Sequence, residues 1–148
     1  MTAAPTPPFE VQRIDHVVLR VTDLERAVAF YGAVLGCAVV KRRPDLGLVH
    51  LRAGASMIDL ISIDGALGRT GGVAAGTEGR NMDHLCLRIE PFDDAAICAQ
   101  LEAHGVAVGT KAPANFGAEG AGPSLYFNDL DGNLIELKGP AAPSNPAQ

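Results

Sequence analysis

A chain of 148 residues, 47% hydrophobic and 20% charged, holds one domain's worth of core, and neither disorder nor a membrane protein is the natural reading. A formal net charge of -5 at pH 7 argues against a nucleic-acid partner, because phosphate binding draws on clustered Lys and Arg, and "KRRPD" at 41–45 is the only dense basic run. Three cysteines, Cys37, Cys86 and Cys98, lack CxxC spacing and suit reduced thiols serving as small core hydrophobes. The opening "MTAAPTPPFE" has no basic start and no apolar stretch of a secretion signal, so the expectation is a cytoplasmic chain with no membrane partner.

In chain order, residues 1–11 read as a disordered Pro- and Ala-rich tail. A first module follows over 12–64. Strand "DHVVLRV" leads into a helix over "TDLERAVAFYGAVLG", where Thr22 and Glu25 are spaced as a capping box, apolar residues from Leu24 to Leu35 recur at helical spacing, and Gly36 stops the helix. Three extended runs come next: "CAVVKRR", "GLVHLRA" and "SMIDLIS", the last two joined by a turn at "AGAS". A Gly-rich linker occupies 65–80, with too much glycine for a regular helix or strand.

The second module, 81–139, repeats the plan. Strand "DHLCLRI" leads into a helix over "EPFDDAAICAQLEAHG", with Pro91 in its first turn, Asp93 and Asp94 at its positive end and Gly105 at its close. The extended runs are "VAVGTKA", "SLYFND" and "NLIELKG", the last two joined by a turn at "DLDG". The segment "PANFGAEGAGP" at 113–123 has no counterpart in the first half and reads as a glycine-rich loop able to act as a lid. Residues 140–148 read as a second disordered tail.

A structural repeat requires only that apolar positions return. Here polar ones return as well: Asp15 with Asp83, His16 with His84, Arg20 with Arg88, and Asp59 with Glu136. A carboxylate amid apolar neighbours in a strand is costly to bury without a partner. Two such carboxylates and two such histidines suggest that the partner is one divalent metal ion: Fe, Mn, Co, Ni or Zn.

The phrases "DHVVLRVTDLERAVAFYGAVLG" and "SLYFNDLDGNLIEL" resemble the opening and closing elements of the vicinal oxygen chelate superfamily, the glyoxalase, bleomycin-resistance and extradiol dioxygenase group. The likeness covers roughly residues 12–140. It implies an α+β fold in which two βαβββ modules form a cupped mixed sheet with helices on the outer face. It also implies metal ligands at His16, Asp59, His84 and Glu136. Asp59 stands where four-ligand members carry Glu or Gln, shorter by about 1.5 Å of reach. With Asp59 held at a distance by water, the inner shell is His16, His84 and Glu136.

Several residues carry two readings. Asp59 and Glu136 are candidates to remove a proton next to a carbonyl, Glu136 less so as a permanent ligand. Tyr126 and Ser124 match positions where fosfomycin-resistance members touch substrate, although Tyr126 also suits a lining aromatic. His50 either contacts substrate or sits half-exposed on its strand. Arg20 and Arg88 either neutralise buried carboxylates or bind an anionic substrate. His104, at a helix end, carries no chemistry.

The resemblance points to a metal-dependent lyase or isomerase of the glyoxalase and epimerase kind, acting on a small carbonyl or hydroxy-carbonyl compound and forming a homodimer. A ring-cleaving extradiol enzyme fits less well, since no histidine precedes Tyr126 within "NFGAEGAG" and Leu130 stands where such enzymes carry proline. The remaining alternatives are a fosfomycin-resistance-type thiol transferase or epoxide hydrolase, and a metal-free binder of the bleomycin type.

Overall fold

The computed structural model describes residues 2, 4 and 6–143. The parts of the predicted tails at 1, 3, 5 and 144–148 lie outside the described residues. The first module runs β1 (His16–Val21), α1 (Leu24–Leu35), β2 (Ala38–Arg43), β3 (Leu48–Ala53) and β4 (Ser56–Ser62). The second runs β5 (Leu85–Arg88), α2 (Asp94–Ala103), β6 (Lys111–Gly117), β7 (Gly120–Asn128) and β8 (Leu134–Lys138). Each builds a four-stranded mixed sheet, ordered β1-β4-β3-β2 and β5-β8-β7-β6, with β1–β4 and β5–β8 parallel and the other pairs antiparallel. The fold is α+β, two βαβββ modules as the resemblance implies.

Strand alternation divides each sheet into two faces. Leu19, Val21, Val49, Leu51, Ile58 and Leu60 turn inward beneath α1, and Leu125, Phe127, Ile135 and Leu137 do the same in the second module. Phe30, Leu35, Leu85 and Leu87 pack against both clusters, so the modules share one core. Polar contacts reinforce the join. The Tyr31 hydroxyl, on α1, donates to Asp129 at 2.6 Å, and Gln100, on α2, donates to the Ala33 carbonyl at 3.0 Å.

Local details differ from the sequence reading. Asp23, not Thr22, caps α1, accepting from the Arg26 amide at 3.1 Å. Thr22 instead gives its amide and hydroxyl protons to Asp131 of the second module, a long-range partner that local spacing does not reveal. Pro91 lies ahead of α2, after a cis peptide bond, and Asp93 is the cap. Of the cysteines only Cys37 is buried; Cys98 is intermediate and Cys86 exposed.

The run "VAVGTKA" is strand only at its end, and 113–123, read as a loop, is mostly strand: β6 and β7 pair around a tight turn at 118–119. Arg88 ties this hairpin down through Glu119, at 2.7 Å, and Lys138 through the Gly120 carbonyl, at 3.0 Å. Glycines at 117 and 122 leave the room that the Lys138 side chain fills. The chain also stays docked beyond 140, where the Ala142 amide donates to Ala121 at 2.8 Å.

The Gly-rich stretch is likewise ordered, in part by a single residue. Arg20 donates to the carbonyls of Gly68, Gly71, Gly72 and Val73, which a short 3-10 turn at Gly68–Gly71 presents to it. Gly68 passes so close to β4 that a Cβ there would stand 1.7 Å from the Ser62 oxygen. Among the described residues Arg20 therefore pairs with no carboxylate; it fastens a loop.

Candidate metal and substrate site

The outward faces of the sheets hold the repeated polar residues. In the first module the register sets Val18, Asp59 and His50 side by side on β1, β4 and β3, with His16 two residues before Val18 on the same face. In the second, Cys86, Glu136 and Tyr126 stand level on β5, β8 and β7, with His84 two residues before Cys86. The positions correspond one for one, His50 to Tyr126 and Asp59 to Glu136.

Each histidine is oriented in the same way. His16 Nδ1 lies 2.7 Å from Asp15 Oδ2, and His84 Nδ1 lies 2.7 Å from Asp83 Oδ2. A carboxylate only accepts, so in a neutral ring it fixes the proton on Nδ1 and places the lone pair on Nε2. This pairing is the usual support for a metal-binding imidazole. The bond to Asp15 raises the His16 pKa, and that to His16 lowers the Asp15 pKa. The sequence carried the signal twice, as "DH", but said nothing of the contact.

His84 Nε2 reaches within 3.2 Å of Glu136 Oε1, so these two converge on a common point. Glu136 is buried. Desolvation alone would raise its pKa, but donation from Tyr126, from Ser124 at 2.7 Å and from Cys86, together with nearby His84, holds it below the usual range. Tyr126 and Ser124 thus spend their hydroxyls on the carboxylate. The bond to Glu136 pushes the Tyr126 pKa up to about 12, so the phenol stays protonated and donating. Cys86 is pushed up to about 12 by loss of hydration and by the same carboxylate, which leaves it a thiol rather than a nucleophilic thiolate.

Asn115 donates to the Tyr126 oxygen at 2.9 Å and completes this chain. It was missed because it falls in the segment read as loop, where no periodicity marks a facing. Beside His84 and Tyr126 opens a cleft of about 610 Å³, lined also by Val108, Thr110, Ala112 and Asn115. Its size suits a small molecule.

Asp59 is buried and turned to His50, whose Nδ1 lies 2.8 Å from Asp59 Oδ1. Arg88 is engaged with Glu119 and Glu90 and with the Ile89 carbonyl. His104 Nδ1 faces the Gln100 carbonyl at 2.9 Å, an ordinary helix-end contact. Among the described residues no three His, Cys, Asp or Glu side chains are arranged so that they could hold a metal ion together. The four predicted ligands stand as two pairs, His16 with Asp59 on one sheet and His84 with Glu136 on the other. β1, which begins at His16, and β5, which His84 immediately precedes, are each an edge strand of their sheet.

Known proteins are similar to this chain in sequence and fold. Bovine mitochondrial methylmalonyl-CoA epimerase is 27% identical over 138 residues, 89% of this chain and 77% of the epimerase. The crystal structure of virulence protein STM3117 from Salmonella typhimurium superposes with a TM-score of 0.71 at 27% identity, covering 90% of this chain and 100% of that one. Lactoylglutathione lyase from Agrobacterium tumefaciens shares the fold, with a TM-score of 0.62 at 23% identity over 87% of this chain and 94% of its own. The sequence profile of one superfamily runs through both modules, from residue 13 to residue 137. The chain therefore belongs to the Glyoxalase/Bleomycin resistance protein/Dioxygenase superfamily.

Proposed function

We propose that this protein is a metal-dependent isomerase or lyase of the epimerase and glyoxalase kind, with a small carbonyl compound as substrate. The observation that carries the proposal is the doubled Asp–His pair, with Glu136 beside Nε2 of His84. Two imidazoles held through Nδ1 by carboxylates, together with one further carboxylate, make a donor set that fits Fe, Mn, Co, Ni or Zn in the divalent state. His16, His84 and Glu136 would hold the ion, while Asp59, committed to His50, stays out of the inner shell.

A bound divalent ion supplies Lewis-acid stabilisation of negative charge developing on adjacent substrate oxygens. The chain's own residues do the rest. Asp15 and Asp83 keep the imidazoles aimed. Ser124 and Tyr126 grip both oxygens of Glu136, so this carboxylate acts as a fixed ligand rather than a mobile base. The cleft beside His84 receives the substrate body. Similarity to the bovine epimerase favours an acyl thioester with an acidic hydrogen next to its carbonyl, of the methylmalonyl-CoA type.

The separation of the candidate ligands into two pairs, each with its histidine at an edge strand, supports a homodimer in which β1 of one copy meets β5 of another. An edge strand offers unpaired backbone groups to a second chain. Exposed Ile14 and Val18 continue that edge as apolar surface.

The test is reconstitution with each divalent ion, followed by elemental analysis and by assays on epimerisable thioesters and methylglyoxal–thiol adducts. One ion per chain and turnover of either substrate class are expected; a protein that takes up no ion would instead be a metal-free binder. Replacing Asp83 with Asn should weaken metal affinity about 10- to 100-fold by misdirecting His84 without removing a ligand. Competition with a chromogenic chelator measures this, and an unchanged affinity would remove the supporting role of Asp83.

A further inference from the structure

The proposed reaction needs a group that removes a proton from carbon, and the two carboxylates expected to do so are both otherwise engaged. Glu136 has Tyr126 on one oxygen and Ser124 on the other. Asp59 is short, nearly sealed within its sheet, and bonded to His50. We propose that His50, oriented by Asp59 on the ligand face of the first module, is the general base.

The geometry carries this role. Asp59 Oδ1 lies 2.8 Å from His50 Nδ1, and because a carboxylate accepts, the proton of a neutral imidazole sits on Nδ1. The lone pair is then on Nε2. Among the described residues Nε2 has no hydrogen-bond partner, and none of their buried side-chain polar atoms lacks one, so Nε2 opens to solvent. The His50 side chain is 25% exposed against 8% for Asp59, which puts the carboxylate behind the ring and the basic nitrogen in front. This is the arrangement of a base with its orienting acid. His50 and Asp59 share the face of His16, so the base belongs to the ligand-bearing surface.

The proton balance is simple. The carbon–hydrogen bond beside the substrate carbonyl breaks, its proton passes to Nε2, and its electron pair moves toward the carbonyl oxygen. His50, now doubly protonated and charge-paired with Asp59, can return the proton, so no outside oxidant or reductant enters. In the second module Tyr126, kept protonated, occupies the equivalent position. The pseudo-symmetric pair therefore sets an unprotonated nitrogen on one sheet and a phenolic donor on the other.

This role rests on the functional reading above, and two measurements separate the fates of the two ideas. In metal-free protein, long-range nitrogen–proton NMR should find His50 protonated on Nδ1 and bare on Nε2, with D59N losing that preference. A His50 ring protonated on Nε2 overturns the proposal whatever the substrate is. In the reconstituted enzyme, exchange of the acidic hydrogen of methylmalonyl-CoA in D2O should fall about 100- to 10,000-fold in H50Q, with KM and metal content close to wild type. Free imidazole should restore part of the exchange in H50A, which a merely structural role would not allow. Full exchange by H50Q sinks the role of His50 alone, and loss of the ion from H50Q reassigns it as a ligand. A wild type that binds metal but exchanges nothing sinks the functional reading and this role with it.

Discussion

Proteins carrying His16→Ala or His84→Ala alone should each fail to hold the ion tightly, yet the two unfolded together and refolded as a mixture should recover roughly one quarter of wild-type metal. The proposed ligands stand in two pairs, and the dimer proposed above unites the first module of one copy with the second module of the other. In a mixed dimer one site inherits both defects and the other inherits none. Half of the dimers are mixed in a random assortment, and each has one good site of two, which sets the fraction. If all ligands of a site came from one chain, every site in the mixture would lack a histidine and nothing would be recovered. Elemental analysis of the gel-filtered mixture reads the difference directly.

The second large effect is on folding. Asp129→Ala should destabilise the protein by about 3–4 kcal/mol, far more than a typical surface substitution. Asp129 is buried at the start of the β7–β8 turn. One oxygen accepts from Tyr31 at 2.6 Å and from the Asn133 side chain at 2.8 Å; the other accepts from the amides of Asp131, at 2.9 Å, and Asn133, at 2.8 Å. The substitution undoes the turn and leaves the Tyr31 hydroxyl, only 1% exposed in its residue, without a partner across the two modules. Tyr31→Phe removes one donor and leaves the other three, so its cost should stay near 1–2 kcal/mol. Thermal unfolding should separate the two, with Asp129→Ala melting roughly 10 °C and Tyr31→Phe roughly 4 °C below wild type. A loss below that of Tyr31→Phe would mean that the turn, not the bridge between modules, is dispensable.

The repeat was legible because both things that make it are local. Strand alternation in "DHVVLRV" and "DHLCLRI" sets which side chains share a face, and apolar spacing from Leu24 to Leu35 sets which side of α1 is buried. Where the reading failed, the cause was a partner distant in sequence or a residue without periodicity. Thr22 has the spacing of a capping box, but Asp131 competes for its hydroxyl. Gly117 and Gly122 look like loop residues, yet they are strand positions where a larger side chain would crowd Lys138.

The amino-acid sequence by itself determined that two βαβββ units exist and that His16, Asp59, His84 and Glu136 occupy equivalent strand positions, because residue spacing along a strand dictates facing. Only the tertiary structure decided what those side chains do: that Asp59 turns to His50, that Ser124 and Tyr126 close around Glu136, and that Arg20 holds a loop. These outcomes depend on which strands become neighbours and on the competition among nearby donors for one acceptor. Distances between strands far apart in the chain settle that competition, and no local pattern of residues encodes them.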